Sequence, residues 1–248
     1  MPSHKPVALV TGSATGIGRA AVVRFAERGH NVVVNYSRSE AEANETAELA
    51  RNAGATALVC KCNVADDAAV NTMVDRTTAE LSRIDVVVNN AGTTHFIKHH
   101  DLDGLTEPMW DDILSVNLKG AFFVSRAAIK VMRKLGTGGS IVNVSSAAGV
   151  RGGGSSIAYG ASKGGMITMT KDLARAFGPD IRVNAVCPGP VLTRWLDAHQ
   201  DHLQGFLAGT PLNKASTPED VARSIEYLAL DAATTTGQAI VMDGGRTM

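Results

Sequence analysis

Charge of one sign is not in excess in this chain of 248 residues: Lys plus Arg and Asp plus Glu both number 24, and the net charge is zero. That balance argues against a protein whose main task is gripping nucleic acid or an anionic membrane, since both need a basic surplus. No apolar run approaches the roughly 18 residues of a membrane span. The start, MPSHKPVALVTGS, has no long apolar segment of the secretory type. Cysteine is sparse and odd in number (Cys60, Cys62 and Cys187), which is no disulfide framework. A cytoplasmic protein is expected. Linkers, repeats and low-complexity tracts are missing as well, so residues 1–248 read as one domain.

What is present is core material, with 44% hydrophobic residues. Short β-branched runs alternate with helical stretches. The runs are VALV (7–10), NVVV (31–34), ATALVC (55–60), IDVVVNNAG (84–92), GSIVNVSS (139–146), IRVNAVCPG (181–189) and QAIVM (238–242). They are apolar throughout rather than alternating, as parallel strands covered on both faces must be. The spacing predicts helices near 39–53, 66–81, 108–135, 157–177 and 218–230. Strand–helix alternation of this kind is an α/β fold, a doubly wound, seven-stranded parallel sheet. One irregular insertion, 190–216, is rich in large apolar residues (Val191, Leu192, Trp195, Leu196, Leu203, Phe206, Leu207). It reads as a lid over a ligand, with a packed helical hairpin as the plainer alternative.

The first strand runs into TGSATGIGRA, with Gly12, Gly16 and Gly18. A Gly-rich turn that follows a strand and opens a helix lets backbone approach a pyrophosphate closely, and the helix N-terminus offers free N–H groups. The spacing is G-x3-G-x-G rather than G-x-G-x-x-G. At the first turn of a doubly wound sheet, a dinucleotide site is the better reading than a bare tight turn. Further on, YGASK places Tyr159 and Lys163 one helical turn apart, on one face. By itself that pair could be a surface phenol and ammonium.

TGSATGIG, NNAG (89–92), Asn117 in SVNLKG, VSS, YGASK and PGP, in this order, resemble the motifs of the short-chain dehydrogenase/reductase family over essentially the whole chain. The overall look is most similar to its 3-oxoacyl-[acyl-carrier-protein] reductase-like members. The resemblance implies hydride transfer between a nicotinamide cofactor and a carbonyl or alcohol. It makes Tyr159 the acid/base, with Lys163 lowering the phenol pKa from about 10 and holding the nicotinamide ribose. Ser146, 13 residues before Tyr159, would hold the substrate oxygen, and Ser145 reads as structural. Asn117 would hold a water that links Lys163 to solvent. Gly12, Ser13, Thr15, Gly16, Ile17 and Gly18 fall in the phosphate turn. Asn90, Ala91 and Gly92 lie where the family's backbone meets adenosine and ribose, and Pro188, Gly189, Val191 and Thr193, after strand six, are also expected to bind the cofactor. The substrate side is expected at His95, Phe96, Ser146, Gly153 and Trp195. The family also implies a homotetramer, built through the long helices and the last strand, with Ala161, Gly164, Gly165 and Met166 suiting close helix approach.

Cofactor selectivity is read after strand two. A carboxylate there binds the adenine-ribose hydroxyls of NAD. Here the sequence is VVVNYSRSE. The acid's place falls near Asn35 or Tyr36, and Ser37 and Arg38 follow, a hydroxyl and a guanidinium suited to a phosphate. NADPH is therefore expected rather than NADH. One departure is Thr15, where many family members with that preference carry a basic residue. Another is Asn63-Val64, where the family commonly has Asp-Val facing the adenine. The rival readings are an NAD-dependent alcohol, polyol or sugar dehydrogenase and a non-enzymatic cofactor-binding member. His95, His99 and His100 fit no closed zinc spacing, so no metal is expected. Cys60 and Cys62 read as buried thiols.

Overall fold

Short runs of Val, Ile and Ala dictate the centre of the molecule. They form β1 (Val7–Val10), β2 (Asn31–Tyr36), β3 (Ala57–Lys61), β4 (Val86–Asn89), β5 (Gly139–Val144), β6 (Ile181–Pro188) and β7 (Ala239–Met242). The computed structural model describes residues 5–197, 203, 205, 207 and 209–248. The strands make one sheet in the order β3-β2-β1-β4-β5-β6-β7, and every pairing is parallel. A parallel sheet must be roofed on both faces, and two apolar layers do this. One packs β1 and β2 residues with Phe25, Ala43, Ala47, Ile225 and Leu228. The other packs Leu9, Val33 and Ile141 with Val70, Met73, Val124 and Met132. The strand order reverses between β1 and β4, and a crevice opens there at the carboxyl ends of the strands.

The helices beside that crevice are α1 (Gly16–Glu27), α2 (Glu40–Asn52), α3 (Asp67–Leu81), α4 (Glu107–Leu114), α5 (Ala121–Leu135), α6 (Ala147–Arg151), α7 (Ile157–Phe177), α8 (Arg194–Asp197) and α9 (Pro218–Glu226). The single helix expected over 108–135 is broken. A π-helical segment, Ser115–Gly120, joins α4 to α5 and carries the buried Asn117. The wider turn is compatible with the apolar pattern, so the pattern alone does not show it. Gly120 lies in it because a Cβ there would come within 2.7 Å of Val64 Cγ2. Between β5 and α7 lies the short α6, whose N-cap is Ser146. α9 starts with a capping box made by Thr217 and Asp220, and a second π segment, Tyr227–Asp231, follows it.

The insertion is clamped at its two ends. Leu192 N–H donates to Ser216 O at 2.9 Å and Ser216 N–H donates to Pro190 O at 3.1 Å. Leu203 is buried while Leu192 and Trp195 stay exposed. Phe206 lies outside the described residues, so the lid expectation falls partly there. The small face of α7 is partly covered within the subunit. Met166 is fully buried, Gly165 packs on Leu118 and Gly164 faces Gly149 O. Gly164 and Gly165 remain half-buried and Ala161 is exposed.

Candidate active site

The turn after β1 is held by its own side chains. Gly12 has φ +59°, and a Cβ there would lie 2.8 Å from Ala91 Cα. A Cβ on Gly18 would lie 2.6 Å from Gly12 O. Ser13 turns inward: its hydroxyl donates to Val10 O at 2.7 Å and accepts from Asn35 N–H. Asn35, at the end of β2, is also spent inside. Its Oδ1 accepts from Gly12 N–H at 3.0 Å, and its Nδ2 donates to Cys62 O at 3.0 Å. Asn35 also borders the cleft, as expected, with its side-chain amide engaged inward. Its amide ties β2 to the phosphate turn and to the end of β3, and its bonds are satisfied there. Asn90 does the same from β4, donating to Thr11 O and Gly12 O. Thr11 completes the brace by accepting from Asn90 and Ala91 N–H. At the open mouth, Thr15 caps α1 with no side-chain bond to the helix, so the first N–H groups of a positive helix end lie free for an anion.

The second cluster lies where β5, β6 and α7 meet. Ser146 Oγ accepts from Ala148 N–H at 3.1 Å, and its own proton reaches Pro188 O only at 3.5 Å. Lys163 is buried and donates from Nζ to Val144 O at 2.8 Å. Burial brings its pKa down to about 8. Burial also pushes the Tyr159 phenol up from its usual value, while a hydrogen bond with Ser146 pulls it partly back. Against the expected lowering of Tyr159 by Lys163, burial is the larger influence on the phenol. The ammonium is tied to the Val144 carbonyl and lies 5.7 Å from the centre of the phenol ring. Trp195 meets the same ring edge-on, with centroids 6.5 Å apart. Gly92 leaves the space between, since a Cβ there would be 3.8 Å from both Lys163 Nζ and Trp195 Cη2.

Both clusters open on one cleft of about 1360 Å³. A family profile described as Enoyl-(Acyl carrier protein) reductase matches residues 12–247. Ketoacyl reductase 2 of the granaticin polyketide synthase of Streptomyces violaceoruber is 42% identical over 97% of this chain and 95% of that protein. The 3-oxoacyl-[acyl-carrier-protein] reductase FabG of Staphylococcus aureus is 37% identical over 97% of this chain and 98% of its own. The chain belongs to the short-chain dehydrogenase/reductase family. The fold agrees: a short-chain dehydrogenase/reductase from Burkholderia xenovorans superposes with TM-score 0.92, at 37% identity and 99% coverage of both chains. A short-chain alcohol dehydrogenase from Sinorhizobium meliloti gives TM-score 0.89, at 34% identity, covering 98% of this chain and 96% of that one. The protein is thus an oxidoreductase of this family.

In this short-chain family oxidoreductase, most of the expected residues line one cleft. Gly12, Thr15, Gly16, Ile17 and the Tyr36–Arg38 run line its dinucleotide end. Asn63, Val64, Ala91, Gly92, Pro188, Gly189, Val191 and Thr193 follow along its length. His95, Phe96, Ser146, Tyr159, Lys163 and Trp195 line the other end. Ser13, Gly18, Asn117 and Gly153 do not line it. The first two support the turn, and Gly153 lies exposed beside it. Asn117 stands behind the wall: its Oδ1 accepts from Thr93 N–H at 2.8 Å and its Nδ2 donates to Thr93 O and Ser162 Oγ, both at 3.0 Å. Asn63 Oδ1 already accepts from Ala65 N–H.

Several wall residues were not read from the sequence. Ser162 donates to Tyr159 O at 2.7 Å and links it to Asn117; its place three residues after Tyr159 was the available signal. Asp112 pairs with His95 Nε2 at 3.0 Å. Ser145, expected to be structural, donates to Lys163 O at 2.8 Å and clasps the end of β5 to α7. Arg194 also lines the cleft, and no motif marked it.

Proposed function

We propose that this enzyme reduces the ketone of a 3-oxoacyl thioester with NADPH, in the cytoplasm, as a homotetramer. The observation that carries the chemistry is the meeting of Tyr159 and Ser146 beside a buried, largely protonated Lys163. The residues fit a dinucleotide. Small residues keep the cleft floor open, free helix N–H groups face its phosphate end, and a guanidinium with no carboxylate stands at Asn35–Ser39. The cofactor, when bound, supplies the hydride to the carbonyl carbon. Ser146 turns its weakly engaged proton from Pro188 O to the substrate oxygen and stabilises the charge that develops there. Tyr159 delivers its proton to that oxygen, and its raised pKa keeps it protonated until then. Lys163 has two further N–H groups beyond the one on Val144 O, enough to hold ribose hydroxyls. Its charge stabilises the phenolate that remains. Asn117 holds Thr93 directly and Tyr159 through Ser162.

The 3-oxoacyl substrate is supported by the names of the curated relatives. NADPH is supported by Arg38, which makes no hydrogen bond or ion pair among the described residues, and by Ser37 beside it, both exposed at the cleft. The cytoplasm is supported by three buried free thiols, and the tetramer by the exposed Phe122 on α5 and Val241 on β7. The test follows NADPH and NADH consumption with a ketone panel that includes a 3-oxoacyl thioester and an enoyl thioester. We expect NADPH-dependent turnover of the 3-oxoacyl thioester, and a roughly 100- to 10,000-fold loss in Tyr159→Phe. A large NADH preference sinks the cofactor reading. Undiminished turnover by Tyr159→Phe sinks the mechanism.

A further inference from the structure

Arg194 belongs to the segment after β6, on the nicotinamide side of the cleft, yet its side chain reaches the opposite wall. Its guanidinium donates to Ser39 Oγ at 3.3 Å and lies 3.6 Å from Glu42 Oε1. Ser39 is the N-cap of α2 and makes no side-chain bond to that helix. It directly follows Ser37 and Arg38, and all four residues, Ser37, Arg38, Ser39 and Arg194, line the cleft. The neighbouring Thr193 spans the gap too, since a Cβ on Gly16 would lie 3.3 Å from Thr193 Cγ2. The chain from Thr193 to Arg194 therefore crosses the mouth of the phosphate turn and ends at the edge of α2.

From this geometry we infer that Arg194 is a second specificity-determining guanidinium for the 2′-phosphate of NADPH, delivered from the substrate side. The inference rests on the NADPH reading. A phosphate monoester on Ser37 and Arg38 carries close to two negative charges and three acceptor oxygens. Planar guanidinium groups match such oxygens two at a time. The contact that Arg194 now has with Glu42 is longer than a hydrogen bond and half-exposed, so it binds weakly. A dianion beside Ser39 displaces it. Glu42 itself repels that dianion while Arg194 screens it. Arg194 already stands at the edge of α2, and a 2′-hydroxyl offers no charge for it to engage.

Binding of 2′,5′-ADP and 5′-ADP to the full chain, measured by calorimetry, tests this without turnover. Both probes lack the nicotinamide, and only one has the 2′-phosphate. Arg194→Gln is expected to weaken 2′,5′-ADP by roughly 10- to 100-fold, the usual effect of losing a bond to a charged group, with 5′-ADP unchanged. Glu42→Gln is expected to tighten 2′,5′-ADP alone. If Arg194→Gln binds both probes as the wild type does while Arg38→Gln loses 2′,5′-ADP, the NADPH reading stands and the role of Arg194 falls. Equal weakening of both probes also overturns it, because Arg194 then merely supports the segment. A wild type that binds the two probes equally overturns the NADPH reading and this inference together.

Discussion

Tyr159, Lys163 and Ser146 were legible because the chemistry needs those side chains and their spacing is fixed by one helix and one strand end. Asn35 was not, because its role is to satisfy backbone groups of two neighbouring elements, and only the fold brings Gly12 and Cys62 to it. The weight of burial at the pair was not legible for a related reason. Spacing puts Lys163 beside Tyr159, but the ammonium's nearest acceptor is the Val144 carbonyl, on β5. Its pKa of about 8, against about 10.4 in an unfolded chain, has a consequence for stability. Between those values the unfolded state binds more protons than the folded one, so unfolding free energy rises with pH across that window. The contribution is on the order of 3 kcal/mol. Cys60, Cys62, Cys187 and Tyr159 are pushed up by burial and contribute with the opposite sign at high pH. The lysine's part is therefore a difference: from pH 7.5 to 10.5 the unfolding free energy of the wild type, measured with denaturant, should rise relative to that of Lys163→Met. Parallel profiles would refute the burial argument.

Elements were legible where one period runs unbroken. α7 spans Ile157–Phe177, the range its pattern predicts, and each strand appears within a few residues of its expected place. The pattern failed where the backbone changes pitch without changing polarity. The segments Ser115–Gly120 and Tyr227–Asp231 are π-helical, and their residues are as apolar or as mixed as their flanks. The second depends on a long-range cap that no local signal announces. Arg182 in β6 donates to Leu228 O and Ala229 O, both at 2.6 Å, and so closes the carbonyl end of that segment. Carbonyls at a helix end need such a donor when water is kept away. Arg182→Ala is expected to lower unfolding free energy by about 2–3 kcal/mol, and Arg182→Lys to recover only part of it, because an ammonium cannot reach two carbonyls in one plane. Thermal or denaturant unfolding of both variants checks this, and a loss under about 0.5 kcal/mol in Arg182→Ala, the scale of an ordinary surface change, would rule the cap out.

At the scale of the whole molecule the sheet leaves one feature unfinished. β7 pairs with β6 alone, and Val241 on it is 37% exposed. An apolar edge strand left bare invites pairing. On another face, Phe122 of α5 is 40% exposed, with the Arg126 guanidinium 5.5 Å from its ring centre and 5.4 Å from that of Phe123. Arg126 is held there by an ion pair with Asp67 on α3. An aromatic pair beneath a fixed arginine is the composition that interface centres favour. Two separate sticky surfaces on one subunit can generate a tetramer with two kinds of twofold contact. The proposed assembly is tested first at these larger side chains. Light scattering of the purified protein should give a mass near four times 25.9 kDa. Phe122→Glu should halve that mass while Val241 still pairs, and Phe122→Glu with Val241→Glu should leave single subunits that melt with the same cooperativity. A wild type that runs as a monomer, or a double variant that stays tetrameric, would move the assembly to other surfaces.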